Sequence, residues 1–413
     1  MRQAMRLLAL ASVLVLATAT PCAAERRGPW VSAWSTAVVA AEPDKPPPFP
    51  QGPFVLRQVV RLTAGGPRVR LRLSNAFGTT PLRIDAAHVA LSTARASAAI
   101  VAGSDRKVTF DGRDGVTIPA GAVYLSDPIA LRAKALDRLA VSLQLPAPPS
   151  LSTQHRASRT TSYLAAGAAP DAADLPGATK TVQWLQLAGI EVENAKVNAI
   201  ATFGDSITDG AGTGVDVDER WPDILAERLQ ADPRTRGLSV INAGIGGNRL
   251  LTDGNSPSGL ARLDRDVLMH PGVTTLIVLI GVNDIGNLSR EGPVTPEKRQ
   301  AVVQGLIAGY RQVIERAHGL GIRVIGTTIL PFGGTKVYRS DADADADRQA
   351  VNQWIRTSGA FYAVIDFDAA TRDPANPARL KAEYDSGDQL HPSPAGYRAM
   401  AAAVPLSLLA PRK

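Results

Sequence analysis

Cysteine is almost missing from this chain: Cys22 is the single one among 413 residues. A disulfide framework and thiol chemistry are therefore excluded, and a chain of this length can rely on buried apolar cores instead. Long apolar runs are scarce too. Only the N-terminus carries one, Leu7 to Ala17, behind the basic Met1-Arg-Gln-Ala-Met-Arg6 and ahead of the small residues Cys22-Ala23-Ala24. That order predicts a secretory signal peptide over residues 1–24 and an exported, periplasmic or extracellular protein. The run is too short for a membrane anchor, so stable membrane insertion is not expected. Cleavage after Ala24 would remove Cys22 as well as Arg2 and Arg6, and the formal charge would fall from +7 to +5. No dense Lys/Arg run accompanies this mild excess, which argues against nucleic acid as a partner.

What is present divides in two. From Phe54 to about Pro146 the apolar residues alternate, as in Val69-Arg-Leu-Arg-Leu73 and Leu139-Ala-Val-Ser-Leu143, between turn signals such as Gly65-Gly-Pro67 and Asp111-Gly112. This predicts an antiparallel β-sandwich of jelly-roll type, with Arg70 and Arg72 on the face opposite Val69, Leu71 and Leu73. Val182–Leu187 and Ile190–Val192 are expected to close it as a strand pair. The sandwich is placed at residues 25–195.

From residue 196 to 413 the rhythm becomes strand, helix, strand. Strands are expected at Val197–Phe203, Leu238–Asn242, Thr274–Ile280, Ile322–Thr328 and Ala363–Phe367. Helices are expected at Trp221–Gln230, Leu260–Met269, Pro296–His318, Asp345–Thr357 and Pro394–Leu408. Val303, Leu306, Ile307, Tyr310, Val313 and Ile314 trace one face of the third helix. Such alternation predicts an α/β domain, a five-stranded parallel sheet in three layers with flavodoxin-like order.

The first of these strands, within Ala199-Ile-Ala-Thr-Phe-Gly-Asp-Ser206, delivers a serine to the sheet edge where α/β proteins bind ligands. A hydroxyl there is a nucleophile if a base and an oxyanion site reach it. Three more polar motifs sit at strand ends or before the last helix: Asn242-Ala-Gly-Ile-Gly-Gly-Asn248, Gly281-Val-Asn-Asp284 and Asp388-Gln-Leu-His-Pro392. Ser206 would attack an acyl carbonyl, His391 would take its proton, and Asp388 would orient the imidazole. Thr208 stands where a Gly-x-Ser-x-Gly elbow needs its second glycine, which disfavours the α/β-hydrolase fold.

Gly204-Asp-Ser-Ile-Thr208 and the three other motifs, in this order, resemble the signature blocks of the GDSL, or SGNH, esterases and acylhydrolases. The resemblance implies an oxyanion hole made by the backbone N–H groups of Ser206 and Gly247 and the side-chain amide of Asn283. Asp209 and Asn248 would line the substrate site. Phe203 to Gly210 and Gly246-Gly-Asn-Arg-Leu250 further resemble a two-domain branch that includes an arylesterase of a xylan-degradation cluster. It implies a serine esterase without cofactor or metal, acting on a small acyl ester or an acylated polysaccharide. A lipase or arylesterase of the same fold, and a non-catalytic carbohydrate-binding protein, are the alternative readings.

Other residues carry less. His88, His155, His270 and His318 lack the spacing of a zinc site and are read as structural or surface residues. The alternating Asp341, Asp343, Asp345 and Asp347 lack the glycine and glutamate of a calcium loop and are read as lead-in to a helix. Trp30, Trp34 and Trp184 are read as packing rather than as a sugar platform.

Overall fold

A computed structural model describes residues 29–410 apart from 289, 291 and 339. The leader expected over residues 1–24 lies outside the described residues.

The N-terminal half is built from antiparallel sheets. In one, Phe54–Arg61 lies between Ser162–Ala166 and Arg138–Leu145, and Ala86–Leu91 follows on the far side. In the other, Leu187–Glu193 lies between Trp30–Ser35 and Val69–Ser74. Alternation sets the faces: Val69, Leu71 and Leu73 are wholly buried, while Arg70 and Arg72 emerge on the other side. There both guanidinium groups meet the buried carboxylate of Glu191 across the strand pair, at 2.5 and 2.7 Å. Apolar residues of the inner faces form the core, and Trp34 and Trp184 meet edge to face with centroids 4.9 Å apart inside it. They are packing residues, as their sequence context suggests.

One expected pairing is corrected. Leu187–Glu193 does not pair with the segment before it, because Gln186 takes φ 58° and redirects the chain. Trp184–Leu185 pairs instead with Thr153–His155, and the longer strand joins Trp30–Ser35.

The C-terminal half is a five-stranded parallel sheet in the order Leu238–Gly244, Asn198–Gly204, Val273–Leu279, Arg323–Thr327, Ala363–Ile365. The first strand in sequence thus sits second in the sheet, the flavodoxin arrangement. Trp221–Ala231 packs with Pro394–Ala403, and Pro296–His318 packs with Ala342–Thr357. Pro222, Pro296 and Pro394 all fall in first turns, where a missing N–H costs nothing. The expected helix Asp345–Thr357 starts earlier, at Ala342, since Asp341 caps it by accepting from the Ala344 N–H. Asp345 and Asp347 then lie within the helix and pair with Arg348 and Arg299. The helix over Leu260–Met269 ends in a widened turn, with the Met269 N–H donating to the Asp264 carbonyl. Among the described residues no helix is long and apolar enough to cross a membrane.

The two halves share one apolar core and several buried polar contacts. Thr63 Oγ1 lies 2.7 Å from Ser239 Oγ, and Ser32 Oγ lies 3.0 Å from His270 Nδ1. Burial, reinforced by the Arg72 charge and partly offset by Asp266, pushes His270 down to about 3. The unfolded chain would protonate this imidazole near pH ~6.5, so its contribution to stability is complete above that value. It is lost as pH falls from about 6.5 towards 3. The stability advantage of wild type over His270→Asn should therefore shrink by about 2 kcal/mol between pH 7 and pH 5 in urea titrations. An advantage independent of pH would contradict a neutral buried His270.

Candidate active site

The strand Asn198–Gly204 is buried from Ala199 onward and ends at Gly204. A Cβ there would lie 2.4 Å from the Leu279 carbonyl oxygen and 2.3 Å from Thr208 Oγ1, so the turn is built against the neighbouring strand end. Asp205 caps the next turn by accepting from the Ile207 N–H at 3.0 Å. Ser206 opens that turn, which runs Ser206–Asp209 and closes on Gly210 at φ 94°, a conformation suited to glycine. Burial pushes the Asp205 carboxyl up to about 7, with the Asp284 charge adding to it and the Ile207 N–H and Arg262 opposing.

Ser206 Oγ lies 2.8 Å from His391 Nε2, and His391 Nδ1 lies 2.6 Å from Asp388 Oδ2. The other Asp388 oxygen accepts from the Leu390 and His391 N–H groups at 2.9 and 2.8 Å. An aspartate turn thus locks carboxylate and imidazole together within four residues. Burial raises the Asp388 carboxyl, but the bonds from the His391 backbone and ring, the His391 charge and the Leu390 N–H outweigh it and hold the group below its ordinary value. With Nδ1 donating to that carboxylate, Nε2 is free to accept the serine proton.

The second and third motifs meet beside this group. Gly247 takes φ 72°, and a side chain there would be strained. Asn283, near the start of Val282–Leu288, donates from Nδ2 to the Asn248 carbonyl at 2.9 Å. Its Oδ1 accepts from Tyr338 Oη. Tyr338 therefore fixes which end of the amide faces the loop, and the second N–H of Nδ2 remains to be given elsewhere.

Further residues support this arrangement, and Arg262 among them belongs to none of the sequence motifs. Asp284 accepts from the Leu250 and Leu251 N–H groups at 2.8 and 3.0 Å, anchoring the segment after Gly247. Burial pushes its carboxyl up to about 6 despite those two bonds. Arg262, fully buried, donates to the Gly204 carbonyl at 2.7 Å, the Ala243 carbonyl at 2.8 Å and Asn248 Oδ1 at 2.9 Å. It ties together the ends of two strands and the glycine loop, and burial lowers its pKa to about 10. Asn248 gives its two Nδ2 hydrogens to Ser256 Oγ and the Pro257 carbonyl, and so shapes the loop. Asp209 is buried against His155 of the sandwich, Oδ1 to Nε2 at 2.8 Å. His155, read from sequence as merely structural or superficial, therefore touches the serine turn.

Residues 202–399 match the model of the GDSL-like Lipase/Acylhydrolase family. No curated protein matches the chain. Among solved structures, the lipase/acylhydrolase from Enterococcus faecalis is 25% identical, with 50% of this chain and 93% of that one covered and a TM-score of 0.37. A GDSL-like lipase from Bacteroides thetaiotaomicron is 20% identical over 51% of this chain and 88% of its own, with a TM-score of 0.35. An acetyl xylan esterase is 22% identical over 50% and 96%, with a TM-score of 0.37.

Proposed function

We propose that this carboxylic ester hydrolase, a member of the GDSL/SGNH superfamily through residues 202–399, removes short acyl groups, acetyl above all, from a polysaccharide. The observation that carries the reading is the continuous chain of contacts from Ser206 Oγ through His391 to Asp388. Ser206 Oγ attacks the acyl carbonyl while its proton passes to His391 Nε2. The oxyanion is met by the N–H groups of Ser206 and Gly247 and by Asn283 Nδ2. His391 returns the proton to the departing alcohol, which leaves an acyl-serine. Water, deprotonated by the same imidazole, then releases the acid. Loss of one oxyanion donor typically costs about 100- to 1000-fold in turnover.

Support for a short acyl group comes from the surroundings of Ser206. His391 and Asp388 on one side, and Asn283 with Tyr338 on another, are hydrogen-bonded polar pairs, and a long alkyl chain laid across them would desolvate polar groups without return. The leader pattern at the N-terminus supports export, so that the substrate is met outside the cytoplasm. A series of nitrophenyl esters tests the acyl length: kcat/KM should be highest from acetate to butyrate and fall at least about tenfold by octanoate. Acetate should also be released from acetylated xylan. A rise towards octanoate would favour a lipase instead.

A further inference from the structure

We propose that the cavity between the sandwich and the serine turn is a subsite for a hydroxyl-bearing alcohol moiety, in chemical class a sugar ring; this rests on the esterase reading above. The cavity measures about 230 Å³ and is lined by Glu42, His155 and Arg156 from the sandwich and by Asp209, Gly246 and Asn255 from the other half. It shares residues with the two segments that carry Ser206 and Gly247. Asp209 ends the turn that Ser206 opens, and Gly246 immediately precedes Gly247. Its volume lies below the roughly 300–1,000 Å³ of pockets for drug-sized ligands, which fits one ring better than an extended chain.

The lining is a set of donors and acceptors already held in place. His155 Nδ1 lies 2.8 Å from the Ala37 carbonyl and Nε2 lies 2.8 Å from Asp209 Oδ1. A carbonyl only accepts, so Nδ1 carries a proton, and Nε2 faces the Asp209 carboxyl. This buried pair fixes the floor. The other oxygen, Asp209 Oδ2, turns towards Gly246 and has no hydrogen-bond partner among the described residues. At the rim Arg156 pairs with Glu42 and donates through Nη2 to the Asn255 carbonyl at 3.0 Å. Hydroxyl groups both donate and accept, and so match a carboxylate oxygen beside a guanidinium. An alkyl group placed there would strip water from the same charges and offer nothing in exchange. The sandwich thus contributes directly to the choice of alcohol.

The test compares an O-acetylated methyl xyloside with ethyl acetate, using the full chain. In wild type the glycoside should be preferred in kcat/KM. Arg156→Ala, and independently Ala157→Trp to fill the rim, should each lower the ratio of the two kcat/KM values about tenfold, acting mainly through KM for the glycoside. Equal changes for both esters, or none, would overturn the subsite while leaving the esterase reading intact. Ser206→Ala is run alongside: hydrolysis persisting near the wild-type rate in that variant would overturn both.

Discussion

Ser206→Ala should lower kcat for nitrophenyl acetate by about 10⁴- to 10⁶-fold, the range seen when a serine nucleophile is removed. The loss is so large because, among the described residues, no other hydroxyl is hydrogen-bonded to His391 Nε2. His391 Nε2 has only the serine hydroxyl to activate at 2.8 Å, and Asp388 holds the ring by its far nitrogen. His391→Ala should cost nearly as much. The double variant should lose hardly more than either single one, since base and nucleophile act as a unit. Steady-state rates on purified protein, with circular dichroism to show that the fold is kept, decide the matter. A Ser206→Ala enzyme retaining a tenth of its activity would remove this residue from the mechanism.

Arg262→Met should cost about 3–5 kcal/mol of stability, read from urea denaturation, and most of the activity of whatever remains folded. Replacing a buried ion pair with apolar side chains is often harmless, but here only one partner is changed. Asp266 keeps Arg265, at 2.6 and 3.0 Å. The Gly204 carbonyl keeps the Ile245 N–H at 3.2 Å, but the Ala243 carbonyl and the amide oxygen of Asn248 lose the guanidinium in the interior, at roughly 1–3 kcal/mol for an acceptor left unpaired. Because Gly204 precedes Asp205 and Ser206, and Asn248 follows Gly247, the damage falls on the proposed nucleophile and the proposed oxyanion loop together. Arg262→Lys should recover only part of it, since an ammonium cannot span three acceptors with a planar fork. Stability unchanged within 1 kcal/mol would show that the contacts are incidental.

Much of the fold is readable in the sequence for local reasons. The alternation over Val69–Ser74 and the helical stripe from Val303 to Ile314 are periodic signals that neighbouring residues carry by themselves. Ser206, Asn283 and His391 can be picked out because each follows a strand or precedes a helix in a short polar motif. What could not be read depends on distant partners. His155 and Asp209 are 54 positions apart, and Tyr338 and Asn283 are 55. Arg262 looks like any cation on an amphipathic segment until the carbonyl ends of two strands are seen to converge on it. The strand pairing before Ile190 departs from the expected one because a positive φ at Gln186 leaves no trace in composition.

The chain enters the sandwich by Trp30–Ser35 and leaves it by Leu187–Glu193, and these strands are hydrogen-bonded neighbours. Entry and exit thus share one seam, while His155 clasps the serine turn at another. With the Thr63–Ser239 and Ser32–His270 contacts, this removes the hinge that a single covalent link would leave. A polymer strand resting on the accessory half would therefore meet Ser206 at a set angle, as stock meets a blade on a bench, and not at the end of a tether.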